Sequence, residues 1–83
     1  MKAYNMTGRT GKPIANQIII ESEGARTFQS YGVTVAKIDA SGTWLDETYW
    51  DYSKTTSKYL NQFLGRKAKE MLKTGEAKLA SLN

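Results

Sequence analysis

The chain has 83 residues, with 12 lysines and arginines against 8 acids, and neither cysteine nor histidine. That length supports one core and one domain. The missing cysteines exclude disulfides and thiolate metal sites, and the missing histidines remove the commonest general base and metal ligand.

The net charge of +4 is unevenly placed. Residues 1–19 carry Lys2, Arg9 and Lys12 with no acid, and residues 52–83 carry seven bases against Glu70 and Glu76. Between them, Arg26 and Lys37 face Glu21, Glu23, Asp39, Asp46, Glu47 and Asp51. Basic ends around an acidic middle exclude a wholesale DNA mimic and suit a nucleic-acid or acidic-protein partner. No run approaches the ~20 apolar residues of a membrane span. Met1–Asn5 lacks the apolar centre of a signal peptide, so a cytoplasmic protein is expected.

Residues 1–13 read as a flexible basic segment ahead of an α+β core over 14–83. Lys2–Met6 suits a short edge strand. Thr7-Gly8-Arg9-Thr10-Gly11-Lys12-Pro13 is a loop by its glycines and proline. It is not a Walker loop, because Pro13 stands where the hydroxyl belongs and no apolar helix follows.

Asn16–Ser22 is a strand with a β-branched centre. Glu23-Gly24 turns the chain into Arg26–Ser30, with Phe28 inward. Tyr31-Gly32 marks a bulge or bend, and Val33–Ile38 is the next strand. Asp39-Ala40-Ser41-Gly42 forms a tight connection to Thr43–Leu45, which carries Trp44.

The firmest element is a helix over 55–64. Ser53 is the N-cap, Tyr59, Leu60, Phe63 and Leu64 share one face, and Gly65 is the left-handed stop. Running on through Gly65 would bury Lys67, so a break there and a second helix over Arg66–Lys73 are expected. Thr74-Gly75 ends it, and Glu76–Leu82 rejoins the sheet as a last strand. The expected fold is therefore α+β: an antiparallel meander of about four strands covered by one main helix, with a second short helix and a C-terminal strand.

Phe28-Gln29-Ser30-Tyr31-Gly32, Ala36-Lys37-Ile38-Asp39, Trp50-Asp51-Tyr52-Ser53, Thr55-Thr56-Ser57-Lys58-Tyr59-Leu60 and Phe63-Leu64-Gly65 together resemble a family of small proteins without assigned activity. That family is common in phages and prophages of Gram-positive bacteria. The resemblance spans residues 16–83 and is most specific in the Ser-x-Thr-Thr-x-Lys run. It implies a protein made inside a bacterial host, among regulators, replication proteins and inhibitors of host defence, and it implies no catalytic residue.

Two surfaces carry the chemistry available. Trp44, Tyr49, Trp50 and Tyr52 interleave with Asp46, Glu47 and Asp51. Aromatics dominate protein interfaces, and the carboxylates would repel a nucleic-acid backbone and suit a basic protein. Packing in the core is the competing role for Trp44 and for Tyr49 or Trp50. The second surface is cationic. Ser53, Lys54, Thr55, Thr56 and Lys58 crowd a helix start where free amides favour anions, and Arg66, Lys69 and Lys73 extend the charge; capping and solvation are their ordinary roles.

A helix-turn-helix pattern fits Leu60, Leu64, Gly65 and Met71 but fails at Asn61 and Arg66. The reading is a non-enzymatic accessory protein without cofactor or metal. It would bind and modulate a host protein that processes nucleic acid or serves defence, as a counter-defence or anti-CRISPR-like inhibitor does. Direct binding of DNA or RNA is the alternative, and a homodimer is compatible with either.

Overall fold

The computed structural model describes all residues, Met1–Asn83. The chain runs β1 (Lys2–Thr7), β2 (Pro13–Ser22), β3 (Ala25–Ser30), β4 (Val33–Asp39), β5 (Gly42–Asp46), α1 (Lys54–Leu64), α2 (Ala68–Thr74) and β6 (Ala77–Ala80). One six-stranded sheet follows chain order from β1 to β6. The first five strands pair antiparallel, and β6 lies parallel to β5 because the two helices cross over before it.

The α+β class holds, with six strands in a mixed sheet and two helices. The departure from about four meander strands lies at the N-terminus. The short edge strand expected over Lys2–Met6 is present as β1, and it joins the sheet as a full member, with Lys2 opposite Glu21 and Tyr4 opposite Ile19. β3 pairs one edge of β2, and β1 satisfies the backbone groups of the other edge over Ile18–Glu21.

Tight turns set the register. Glu23-Gly24 and Tyr31-Gly32 each join strands paired up to the flanking residues, Ser22 with Ala25 and Ser30 with Val33. Both turns have two positive φ values, 50° and 80° in one and 52° and 83° in the other. That is the type I′ hairpin signature, whose twist matches the strands. Tyr31-Gly32 is thus a hairpin turn rather than the bulge or bend expected. The bulge sits instead in β4, where Phe28 pairs with Ala36 and Gln29 with Thr34, leaving Val35 extra. It allows two consecutive residues, Val35 and Ala36, to be fully buried.

The core lies between one sheet face and the helices. Phe28, Val35, Ala36, Leu45 and Leu60 are wholly enclosed, with Met6, Ile19, Phe63, Ala68, Met71 and Ala77 around them. Phe63 of α1 stacks on Phe28 of β3 with ring centroids 5.7 Å apart, which fixes the helix across the sheet. Alternation sends Ile20, Thr27, Lys37 and Trp44 to the other face as one cross-strand row. None of these four is buried.

The helices end as the sequence indicates. Ser53 accepts from the Thr56 amide at 3.1 Å, and Gly65 closes α1 at φ 74°. The chain then breaks, and α2 begins after Lys67, which stays exposed. Asn61 has a role that spacing did not show: its Oδ1 accepts from the Ala68 amide at 2.9 Å, supplying the cap that Lys67 cannot. No helix is long and apolar enough to cross a membrane.

Candidate functional site

The β3–β4 turn, the loop from Glu47 to Ser53 and the first turn of α1 meet at one end of the sheet. Between them lies a groove of about 350 Å³ lined by Ser30, Tyr31, Val33, Tyr49, Tyr52, Ser53 and Thr56. Tyr31 and Tyr52 are 61% and 72% exposed, the two most exposed aromatic residues of the chain. Tyr49 packs against the core, and its ring lies 5.6 Å from that of Tyr52 at a tilt of 59°. The groove is therefore lined by three tyrosines, of which Tyr49 and Tyr52 form a tilted pair and Tyr49 is fixed by packing.

Asp46 holds this arrangement in place. It is 2% exposed at the end of β5. Its Oδ2 accepts from the Thr48 and Tyr49 amides, both at 3.0 Å, and its Oδ1 accepts from the Leu82 amide at 2.8 Å. Burial pushes this carboxyl upward. The Leu82, Tyr49 and Thr48 N–H groups and the Asn83 side chain outweigh it, leaving the net shift below the usual aspartate range. One carboxylate thus fixes both the loop carrying Tyr49 and the C-terminal residues. Asn83 extends that tie by exchanging two hydrogen bonds with the Thr34 backbone, each 2.9 Å.

Beneath the groove the contacts are polar. Ser30 and Thr56 are buried, and their hydroxyls lie 3.1 Å apart. Gln17, the cross-strand partner of Ser30, is 1% exposed, and its Oε1 has no hydrogen-bond partner. A buried acceptor left open is costly.

The residues singled out from the sequence fall into separate places. Tyr49 and Tyr52 line the tyrosine groove, and Asp46 supports it from inside. Glu47 and Asp51 are exposed, and neither is in an ion pair. Trp44 stands apart on the opposite sheet face, its Nε1 donating to Ser41 Oγ at 3.1 Å. Trp50 leaves the groove as well. It packs against the core and, with Asp51, Ser57, Lys67 and Lys69, lines a second hollow of about 490 Å³ at the α1–α2 elbow.

The cationic set is likewise divided. Ser53 Oγ accepts as the helix cap, and Thr56 is buried against Ser30, with its hydroxyl bonded there. Lys54, Thr55 and Lys58 are exposed, and Lys58 Nζ lies 5.2 Å from the centre of the Tyr59 ring. Arg66 forms a two-pronged pair with Glu76, one bond being 2.9 Å. The hydrogen bond and charge of Glu76 raise the arginine above its ordinary value. Arg66, Thr74 and the Arg66 charge lower the glutamate. Lys69 and Lys73 are exposed and belong to none of the three ion pairs.

Ser30, Tyr31 and Val33 complete the groove and carry no site signal in the sequence reading. The available signal was a tyrosine before glycine in a hairpin turn, where asparagine or glycine is favoured. Nowhere do three or more His, Cys, Asp or Glu residues converge as a metal site would require.

Fold and groove together define a small α+β domain with a tyrosine-lined surface groove. The chain belongs to the family of unknown function DUF8033, whose model matches residues 1–79. No curated protein and no solved structure matches it.

Proposed function

We propose that this is a non-catalytic binding protein that engages a partner protein through the groove of Tyr31, Tyr49 and Tyr52. The observation that carries the reading is the exposure of two tyrosines around an apolar hollow whose third tyrosine is anchored. Tyrosine supplies large contact area at low conformational cost and dominates interface hot spots. The finer reading is a phage or prophage accessory protein acting in the host cytoplasm. There it modulates, by inhibition, a host protein that processes nucleic acid or serves defence. Its support is the resemblance of residues 16–83 together with the unpaired Glu47 and Asp51, which suit the basic surface such a partner presents.

The test is affinity purification of the tagged chain from nuclease-treated lysate of a Gram-positive host, read by mass spectrometry. A protein recovered by the wild type and lost with Tyr52→Ala supports the reading. Recovery unchanged by Tyr52→Ala and by Tyr31→Asn removes it.

Direct binding of nucleic acid is favoured by a different observation. Lys67 and Lys69 flank Trp50 at the helical elbow, and neither is in an ion pair. An indole beside free lysines is a stacking surface beside phosphate contacts. Affinity for single-stranded DNA or RNA that falls steeply with salt would support it. No binding at low salt removes it.

A further inference from the structure

We infer that the tyrosine groove takes a cationic side chain of the partner, an arginine in particular. This rests on the reading of the groove as a protein-binding site. The groove's lining contains no cation, although the chain carries 12 lysines and arginines. Its lining includes Tyr31, Tyr49 and Tyr52, and the rings of Tyr49 and Tyr52 are tilted at 59° with centroids 5.6 Å apart. Tilted ring faces present negative quadrupole to a shared space, and this is how aromatic cages hold cations.

Below the rings lie the Ser30 and Thr56 hydroxyls. They bond only each other and keep spare lone pairs. A guanidinium is flat enough to stack between rings and carries five N–H donors for such a floor. Outside, Glu47 and Asp51 are exposed on the loop that bears Tyr49 and Tyr52 and form no ion pair, but Asp51 lines the elbow hollow with Lys67 and Lys69 and neither acid lines the groove. Lys54 follows the groove residue Ser53, but it is exposed and does not line the groove. Rings and hydroxyl acceptors in one lining, with no cation among them, are complementary to positive charge, whereas a purely aliphatic side chain would leave the hydroxyl lone pairs unmet.

The experiment uses the full chain, labelled with ¹⁵N and titrated with capped tripeptides Gly-X-Gly. X is arginine, its neutral isostere citrulline, or norleucine. The arginine peptide should move the amides of Tyr31, Tyr49 and Tyr52, with a Kd about tenfold below that of citrulline. Tyr52→Ala should weaken the arginine peptide several-fold while leaving the remaining spectrum dispersed. Equal binding of citrulline or norleucine overturns the inference, as does absence of any shift with arginine. Those results leave the protein-binding reading to stand or fall on the lysate capture by wild type and Tyr52→Ala, so the two failures are distinguishable.

Discussion

Two hairpin turns of this sheet share a backbone and differ in everything around it. Glu23-Gly24 and Tyr31-Gly32 both place an ordinary residue and then a glycine at positive φ, at nearly the same angles. In both, the first residue stands where asparagine or glycine would cost less. At the Glu23 end, the neighbours are Glu21 and Arg26, an exposed ion pair at 3.5 Å. At the Tyr31 end, the turn borders a groove, a buried hydroxyl pair and the α1 cap. The Glu23 turn shows that folding needs only the glycine and the twist. The proposed binding role therefore rests, at the Tyr31 turn, on a large aromatic that is 61% exposed beside the groove, not on a backbone conformation that Glu23 shares.

The strongest way to probe the contrast is through Asp46, which serves only the Tyr31 end. Asp46→Asn replaces an acceptor oxygen with a donor facing backbone N–H groups, and should cost about 2–3 kcal/mol in urea unfolding. The fold is worth roughly 4–12 kcal/mol in total, so the variant should remain measurable. The native carboxyl lies below its ordinary value near 3.8. Its contribution is then present at neutral pH, declines as pH falls below the ordinary range, and is gone below the native value. The gap between wild type and Asp46→Asn should narrow between pH 7 and pH 3. A constant gap would show that the charge plays no part.

Glycine substitutions should make the two turns alike. Gly24→Ala and Gly32→Ala meet no heavy atom within 4 Å, so each tests conformation alone at φ 80° and 83°. Each should lose about 1–2 kcal/mol, and a difference well beyond that spread between them would break the equivalence of the backbones.

The turns' first residues sharpen the comparison with a smaller effect of opposite sign. Glu23→Asn and Tyr31→Asn should each stabilise by about 0.5–1 kcal/mol, because asparagine tolerates the left-handed region. Loss of stability in Tyr31→Asn would mean that the exposed ring packs usefully within the monomer. Smallest of all, Glu21→Gln at the Glu23 end should change stability by less than about 1 kcal/mol, as exposed pairs do.

The parts legible in the sequence are those decided locally. Helix α1 and its break follow from Ser53, the Leu60–Phe63 face and Gly65, because caps and periodicity are short-range. β6 was likewise visible as a strand, though not its parallel pairing, which depends on where two helices return the chain. The groove was only half visible. Tyr49 and Tyr52 stand near each other in sequence, but Tyr31 reaches them only through the β4 register. Spacing groups Trp44 and Asp46 with them, yet strand alternation sends Trp44 to the far face and three backbone donors draw Asp46 inward. Gln17 gave no signal at all, since a glutamine in a strand reads as solvent-facing until its neighbours are known.

The most direct measurement is the affinity of the protein recovered from lysate for Glu23→Asn and Tyr31→Asn, each set beside its own unfolding free energy. The account predicts two variants at least as stable as wild type, with binding intact in Glu23→Asn and weakened roughly thirtyfold or more in Tyr31→Asn, as for an interface hot spot. Equal affinity in both variants would contradict it.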